Sequence, residues 1–237
     1  MIDLRCGDWR DVLADVTTCD AVITDPPYGD RVHRGHDAAV DQVKKTTRQE
    51  LKSSISYTCW YPSDVAEFVA SWAPRCTGWM VALTSHDLIP AWEHAYTKAG
   101  RFAFAPVPYI KKNFRALGDG PPSWACYVMV SRPRAKKFMG GWSCSGAYLP
   151  GEKLEGEKGQ SHIGGKPLWL MREIVRDYAR PGNVVVDPCA GGGTTLKAAA
   201  IEGCDAIGAE LDPKTHAKAT AWLDDGYTPD MFAMIGA

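Results

Sequence analysis

The run Asp25-Pro26-Pro27-Tyr28-Gly29 follows an apolar stretch, Asp20–Thr24, that has the composition of a buried strand. Two consecutive prolines fix φ and remove two backbone donors, so the segment is stiff and its carbonyls are free to accept hydrogen bonds. Asp25 then places a carboxylate at the carboxyl end of a strand, where ligands bind in open α/β sheets. Tyr28 adds a flat aromatic face. Together these groups suit a planar base that carries an NH₂ group. Asp25 and the Pro26 carbonyl would accept the two amine protons, and Tyr28 would stack on the ring.

A second constellation lies far along the chain. Val184-Val185-Val186-Asp187 reads as a strand, Pro188-Cys189-Ala190-Gly191-Gly192-Gly193 as a glycine-rich turn, and Thr194-Thr195 as a helix start. Glycines at such a turn let backbone N–H groups approach a ligand, and the helix N-terminus favours an anionic group. It is no phosphate loop, because GxxxxGK[ST] is absent, and Leu196 stands where the third glycine of a dinucleotide fingerprint would be. Glu210 closes the next strand-like run, about 20 residues on, the spacing at which a carboxylate accepts from ribose hydroxyls. An adenosine-containing cofactor follows from the two features together.

These motifs must be held by a scaffold. Seven stretches read as short buried strands: Ile2–Cys6, Asp20–Thr24, Trp79–Thr84, Phe102–Ile110, Trp124–Ser131, Val184–Asp187 and Asp205–Glu210. Helical segments fall at Ser63–Trp72, capped by Ser63, at Leu88–Ala99, ending before Gly100, and at Leu168–Tyr178, Thr194–Ile201 and Pro213–Leu223. Alternating strands and helices predict an α/β fold with a mostly parallel sheet covered on both faces. An antiparallel hairpin is expected at one edge, between the last two strand candidates. Residues 29–58 and 132–165 fit neither pattern, and loops of that length are usually functional or disordered.

The charge totals 27 basic against 28 acidic residues, but it is segregated. Residues 29–60 hold six Lys and Arg against four acids, and 131–166 hold seven against three, while the tail from Glu210 is acidic. No apolar run approaches the ~20 residues of a membrane span, and the start MIDLRCGDWR carries no secretory signal, so a cytoplasmic protein is expected. Eight scattered cysteines with no CxxC pair read as reduced thiols, not as a metal site.

With these motifs in hand, the sequence resembles the amino-methyltransferases of DNA, which use S-adenosylmethionine to methylate adenine N6 or cytosine N4. Asp25–Tyr28 matches the family's DPPY catalytic motif, and Asp187–Thr195 its D-P-F-x-G-x-G-T-T cofactor motif. His162-x-x-x-Lys166-Pro167 matches the segment preceding the latter, and Gly7-Asp8 the step that precedes the catalytic strand. Cys189 stands for the usual Phe, Gly192 for a common Ser, and Ile163-Gly164-Gly165 for the more usual Pro-Thr-Gln.

The resemblance implies a Rossmann-like seven-stranded sheet with the circularly permuted motif order of the family's β group. Residues 1–131 would form the catalytic part, 132–160 a small inserted target-recognition region, and 161–237 the cofactor-binding part. Asp187, Gly191, Gly193 and Thr194 would hold the methionine part of S-adenosylmethionine, Glu210 its ribose and Asp8 its adenine, with Ala190 and Lys166 also at the cofactor. Asp8 also reads as the cap of a helix starting at Trp9, and His162 as a loop histidine. The catalytic group would be Asp25, Pro26, Pro27 and Tyr28, with no metal. The partner would be duplex DNA with the target base flipped onto Tyr28, its phosphates held by the basic stretches. A homodimer is a further expectation. Asp25 points to adenine N6, with cytosine N4 second on the same scaffold. RNA or protein-glutamine methylation goes with Asn in place of Asp25, and a catalytically silent nucleic-acid-binding subunit is the alternative of another class.

Overall fold

The structure, a computed structural model, describes residues 1–30, 58–111, 125–134, 144–150 and 165–226. Eight strands form one sheet: β1 (Ile2–Cys6), β2 (Cys19–Thr24), β3 (Cys76–Thr84), β4 (Arg101–Ala103), β5 (Val107–Ile110), β6 (Ala125–Pro133), β7 (Val184–Asp187) and β8 (Asp205–Glu210). Their order is β1-β8-β7-β2-β3-β6-β4, with β5 also paired to β6. The first five in that order are mutually parallel.

Two expectations need correction. The stretch Phe102–Ile110 is not one strand but two, β4 and β5, both antiparallel to β6. Pro106, which has no N–H to give to a ladder, lies in the break between them. Nor do the last two strand candidates make a hairpin. β7 and β8 run parallel because a helix fills their connection, and the antiparallel part lies at the opposite edge, where β6 pairs with β3, β4 and β5.

The central strands are buried almost continuously, and successive residues point to opposite faces, which puts a separate apolar layer on each side of the sheet. Ala21, Ile23, Val81 and Leu83 face α4 (Leu168–Tyr178) and α5 (Thr194–Ile201), through Leu170, Met171, Ile174, Leu196 and Ala199. Val22, Met80, Ala82 and Val186 face the other layer, made by α1 (Trp9–Val12), α2 (Pro62–Trp72) and α3 (Ile89–Lys98). That second layer is aromatic: Trp9, Phe68, Trp72, Trp92 and Tyr96 are all buried, with edge-to-face and tilted contacts such as Phe68–Trp92 at 5.8 Å. The α6 helix (Pro213–Asp224) returns against β1 and β8.

Local chemistry sets the helix ends. Pro62, not Ser63, opens α2, because a proline at the first helical position loses only an N–H that has no partner there. Asp64 accepts from the Tyr61 N–H at 2.7 Å. Asp8 caps α1 by accepting from the Arg10 N–H at 2.9 Å. Asp212 caps α6 in the same way through Thr215.

Most of the two unassigned stretches lies outside the described residues, as do His162 and every basic residue of 29–60. Residues 144–150 are an exception. Tyr148 exchanges backbone hydrogen bonds with Pro108 and Ile110 beside β5, at 2.9 and 3.0 Å. Its buried hydroxyl donates to Asp177 of α4 at 2.7 Å, and the same carboxylate oxygen accepts from the Ser145 N–H.

Candidate active site at the carboxyl edge of the sheet

Because β1, β8, β7, β2 and β3 are parallel, their carboxyl ends share one edge. The sheet register places Cys6 beside Glu210 and Asp187 beside Gly208. Asp8, Glu210, Asp187, Asp25 and Ser85 therefore follow one another along that edge. The two sequence motifs, far apart in the chain, become neighbours because β2 and β7 pair directly.

Asp187 links them. It is 1% exposed, and its Oδ1 accepts from the Thr24 hydroxyl at 2.7 Å and from the Cys189 N–H at 3.0 Å. Burial pushes its carboxyl up to about 6, while hydrogen bonds from Thr195, Thr24 and the Cys189 amide pull the other way. The Cys189 thiol beside it is pushed well up, by burial and then by the Asp187 charge. The thiol is thereby held neutral, and it packs against the aromatic layer.

The glycine-rich turn is built for close approach. Gly191 and Gly193 both have positive φ, 52° and 80°, which a side chain rarely tolerates. A Cβ on Gly191 would meet nothing within 4 Å among the described residues, so this position faces open space. Gly193 starts α5 without a side-chain cap, leaving the first helical N–H groups pointing at the turn. Ala190 is different. Its N–H donates to the Ala209 carbonyl at 2.8 Å, which ties the turn to β8. Thr194 is buried in the first turn of α5. Glu210 accepts from the Asp212 N–H at 2.8 Å through Oε1. Asp8 is engaged twice, as helix cap and by the Arg10 guanidinium, which also grips Glu67.

The Asp25–Tyr28 segment is pinned from both sides. The Trp60 N–H donates to the Tyr28 carbonyl at 3.1 Å, and the Gly29 N–H to Ser85 Oγ at 3.3 Å. A Cβ on Gly29 would stand 2.1 Å from Asp87 Oδ2, so a larger residue there would force the exposed Asp87 side chain to swing away. Lys166 Nζ donates to Asp25 Oδ2 at 2.5 Å and lies 4.8 Å from the Tyr28 ring centroid. Asp25 Oδ1 and the Tyr28 hydroxyl are both buried with no partner in good hydrogen-bond geometry among the described residues. The Tyr28 phenol is held well above its ordinary value, by burial first and then by the nearby Asp25 charge.

A family model of DNA methylases, N6_N4_Mtase, matches residues 91–221, more than half of the chain. The chain belongs to this DNA methylase family. It is 26% identical over 224 residues to the methylase-named protein YubD of Escherichia coli (strain K12), covering 89% of this chain and 85% of that protein. Among solved structures, M1.HpyAVI in complex with SAM matches with a TM-score of 0.70 and 21% identity, over 94% of this chain and 100% of its own. TTHA0409 of Thermus thermophilus matches at 0.62 and 21%, over 94% of each chain. The cytosine-N4-specific PvuII DNA methyltransferase matches at 0.62 and 14%, over 99% of this chain and 90% of its own. At these identities the solved structures establish a shared fold.

All of the candidate residues except His162 lie among the described residues, and Asp25, Tyr28, Lys166, Asp187 and the turn converge on one edge. Motif reading missed Thr24, Ser85 and Gly208. Thr24 is the last strand residue before Asp25, one position from a residue already singled out, so strand-end polarity was an available signal. Gly208 carried a weaker one, a glycine inside a strand pattern, which often marks close backbone approach. Ser85 had none, because only the β2–β3 pairing brings it to Gly29.

Proposed function

We propose that the chain transfers a methyl group from S-adenosylmethionine to the exocyclic N6 of an adenine flipped out of duplex DNA. The observation that carries this reading is the direct pairing of β2 with β7, joined at their ends by the Thr24–Asp187 hydrogen bond. It sets an amine-accepting carboxylate, Asp25, next to a glycine turn open to a ligand.

The residues fit the cofactor. The uncapped N-terminus of α5 suits a carboxylate, the open face of Gly191 admits close approach, and Glu210 stands at the strand end where ribose hydroxyls are accepted. S-adenosylmethionine would supply a methyl group on a sulfonium. The remaining work falls to the protein. An exocyclic amine is conjugated with its ring and is a poor nucleophile. Asp25 and the Pro26 carbonyl accept its two N–H groups and bias the nitrogen towards a tetrahedral form with its lone pair exposed. Tyr28 provides the stacking face. Positioning and fixed electrostatics provide the acceleration, and no covalent intermediate is needed.

An intact Asp25–Tyr28 segment and an intact turn argue against a silent binding subunit. The likeness to the cytosine-N4-specific PvuII enzyme supports a second reading, cytosine N4 on the same scaffold. Nucleoside analysis of DNA treated with the pure enzyme separates the two, by whether N6-methyladenine or N4-methylcytosine accumulates. For the mechanism, Asp25→Ala is expected to lower methyl transfer by roughly 100- to 1000-fold, the scale of losing one preorganised electrostatic group. Its affinity for S-adenosylmethionine should stay unchanged. Substantial residual transfer by that variant would sink the mechanism.

A further inference from the structure

We infer that Lys166 is a positioning residue for the Asp25 carboxylate and not a ligand of the cofactor; this rests on the methyltransferase reading above. Its ammonium donates to Asp25 Oδ2 at 2.5 Å and lies 4.8 Å from the Tyr28 ring centroid. One side chain thus touches both chemical elements of the catalytic segment, from a position 141 residues further along the chain.

The setting makes that contact firm. The side chain of Lys166 is 10% exposed and that of Asp25 22% exposed, so water screens the pair weakly. Pro167 follows Lys166 and serves as the N-cap of α4, restricting the lysine backbone to extended conformations. The helix behind it is anchored by buried Leu170, Met171 and Ile174. The lysine backbone is therefore held at the start of a packed helix.

Asp25 needs such a partner. Among the described residues, its other oxygen, Oδ1, is buried with no partner in good hydrogen-bond geometry, and the same holds for the neighbouring Tyr28 hydroxyl. Among the described residues, Lys166 is therefore the side chain that holds the Asp25 carboxylate by a hydrogen bond. A carboxylate turns freely about its last bond, whereas a charge-assisted hydrogen bond fixes its plane. The direction in which the target amine is held follows from that plane, and misplacement by about 1 Å costs about 100-fold in rate.

The test uses the full-length enzyme with Lys166→Met and, as a variant that keeps a hydrogen-bond donor should Lys166→Met fail to fold, Lys166→Gln. Single-turnover methylation and titrations with S-adenosylmethionine and with 5′-methylthioadenosine, which lacks the amino-acid part, are measured for each. The inference expects turnover to fall about 100-fold in Lys166→Met and less in Lys166→Gln. The dissociation constant for S-adenosylmethionine should change less than twofold. A merely structural role would not split rate from affinity in this way. Weakened binding of S-adenosylmethionine with unchanged binding of 5′-methylthioadenosine would overturn the inference, because Lys166 would then hold the cofactor's amino-acid end. Unchanged turnover would overturn it as well. Wild-type enzyme that methylates no DNA would instead bring down the parent reading.

Discussion

Asp187 decides how the two motifs work together, and its carboxyl has a measurable signature. Burial raises it to about 6, so between about pH 4 and 6 the folded protein keeps a proton that the unfolded chain has released. An acid raised on folding lowers stability as pH climbs through that window, by roughly 3 kcal/mol for a shift of about two units. Asp187→Asn keeps an oxygen to accept from Thr24 and Cys189 but has no proton to lose. Urea denaturation at pH 4.5 and pH 7 should therefore show the wild type losing stability relative to the variant as pH rises. A difference that stays flat would contradict the burial argument. Asp187 itself was legible in the sequence as the acid at a strand end. Its partner Thr24 was not, because a hydrogen bond across strands 163 residues apart depends on which strands pair.

At the scale of the elements, the glycine turn depends on a position outside it. Gly208 on β8 lies opposite Asp187, and a Cβ there would stand 2.9 Å from Leu196 Cδ1, 3.0 Å from the Asp187 carbonyl and 3.1 Å from Ala190 Cβ. Two of those three neighbours are backbone or a short methyl that cannot swing aside. Gly208→Ala is expected to cost about 1–3 kcal/mol in overpacking and to weaken cofactor binding by displacing the turn. Thermal denaturation and a cofactor titration measure the two effects, and a variant unchanged in both would refute the packing account. Strand and helix positions were legible where periodicity was strong, as in Leu168–Tyr178, or where a short apolar run was bounded by Gly, Pro or Asp, as in Thr194–Ile201 and Val184–Asp187; all three agree with their predicted limits. The misjudged places were those where a proline interrupts a β-rich run, as at Pro106, and where the partner of a strand had to be guessed. Neither is a local property.

For the whole molecule, the net charge of −1 gave the least guidance, because it sums basic and acidic regions that would meet DNA in opposite ways. If the basic stretches neutralise three DNA phosphates, affinity for DNA should fall about 40-fold between 50 and 200 mM salt, while affinity for the cofactor changes little. Fluorescence titrations at several salt concentrations provide the slope, and a DNA affinity indifferent to salt would remove the basic stretches from the interface. The fold class and two-sided packing were legible from alternation alone. The internal organisation of residues 132–160 was not, since its glycines and charges carry no period. The Tyr148 contact with β5 and Asp177 has a consequence for variation over evolutionary time. The contact fixes one point of the chain between β6 and α4, and doubling the number of residues on either side of a fixed point costs only about 0.6 kcal/mol. Insertions and substitutions on one side of Tyr148 need not disturb the other, so this stretch can vary while Asp25 and Asp187 stay where they are.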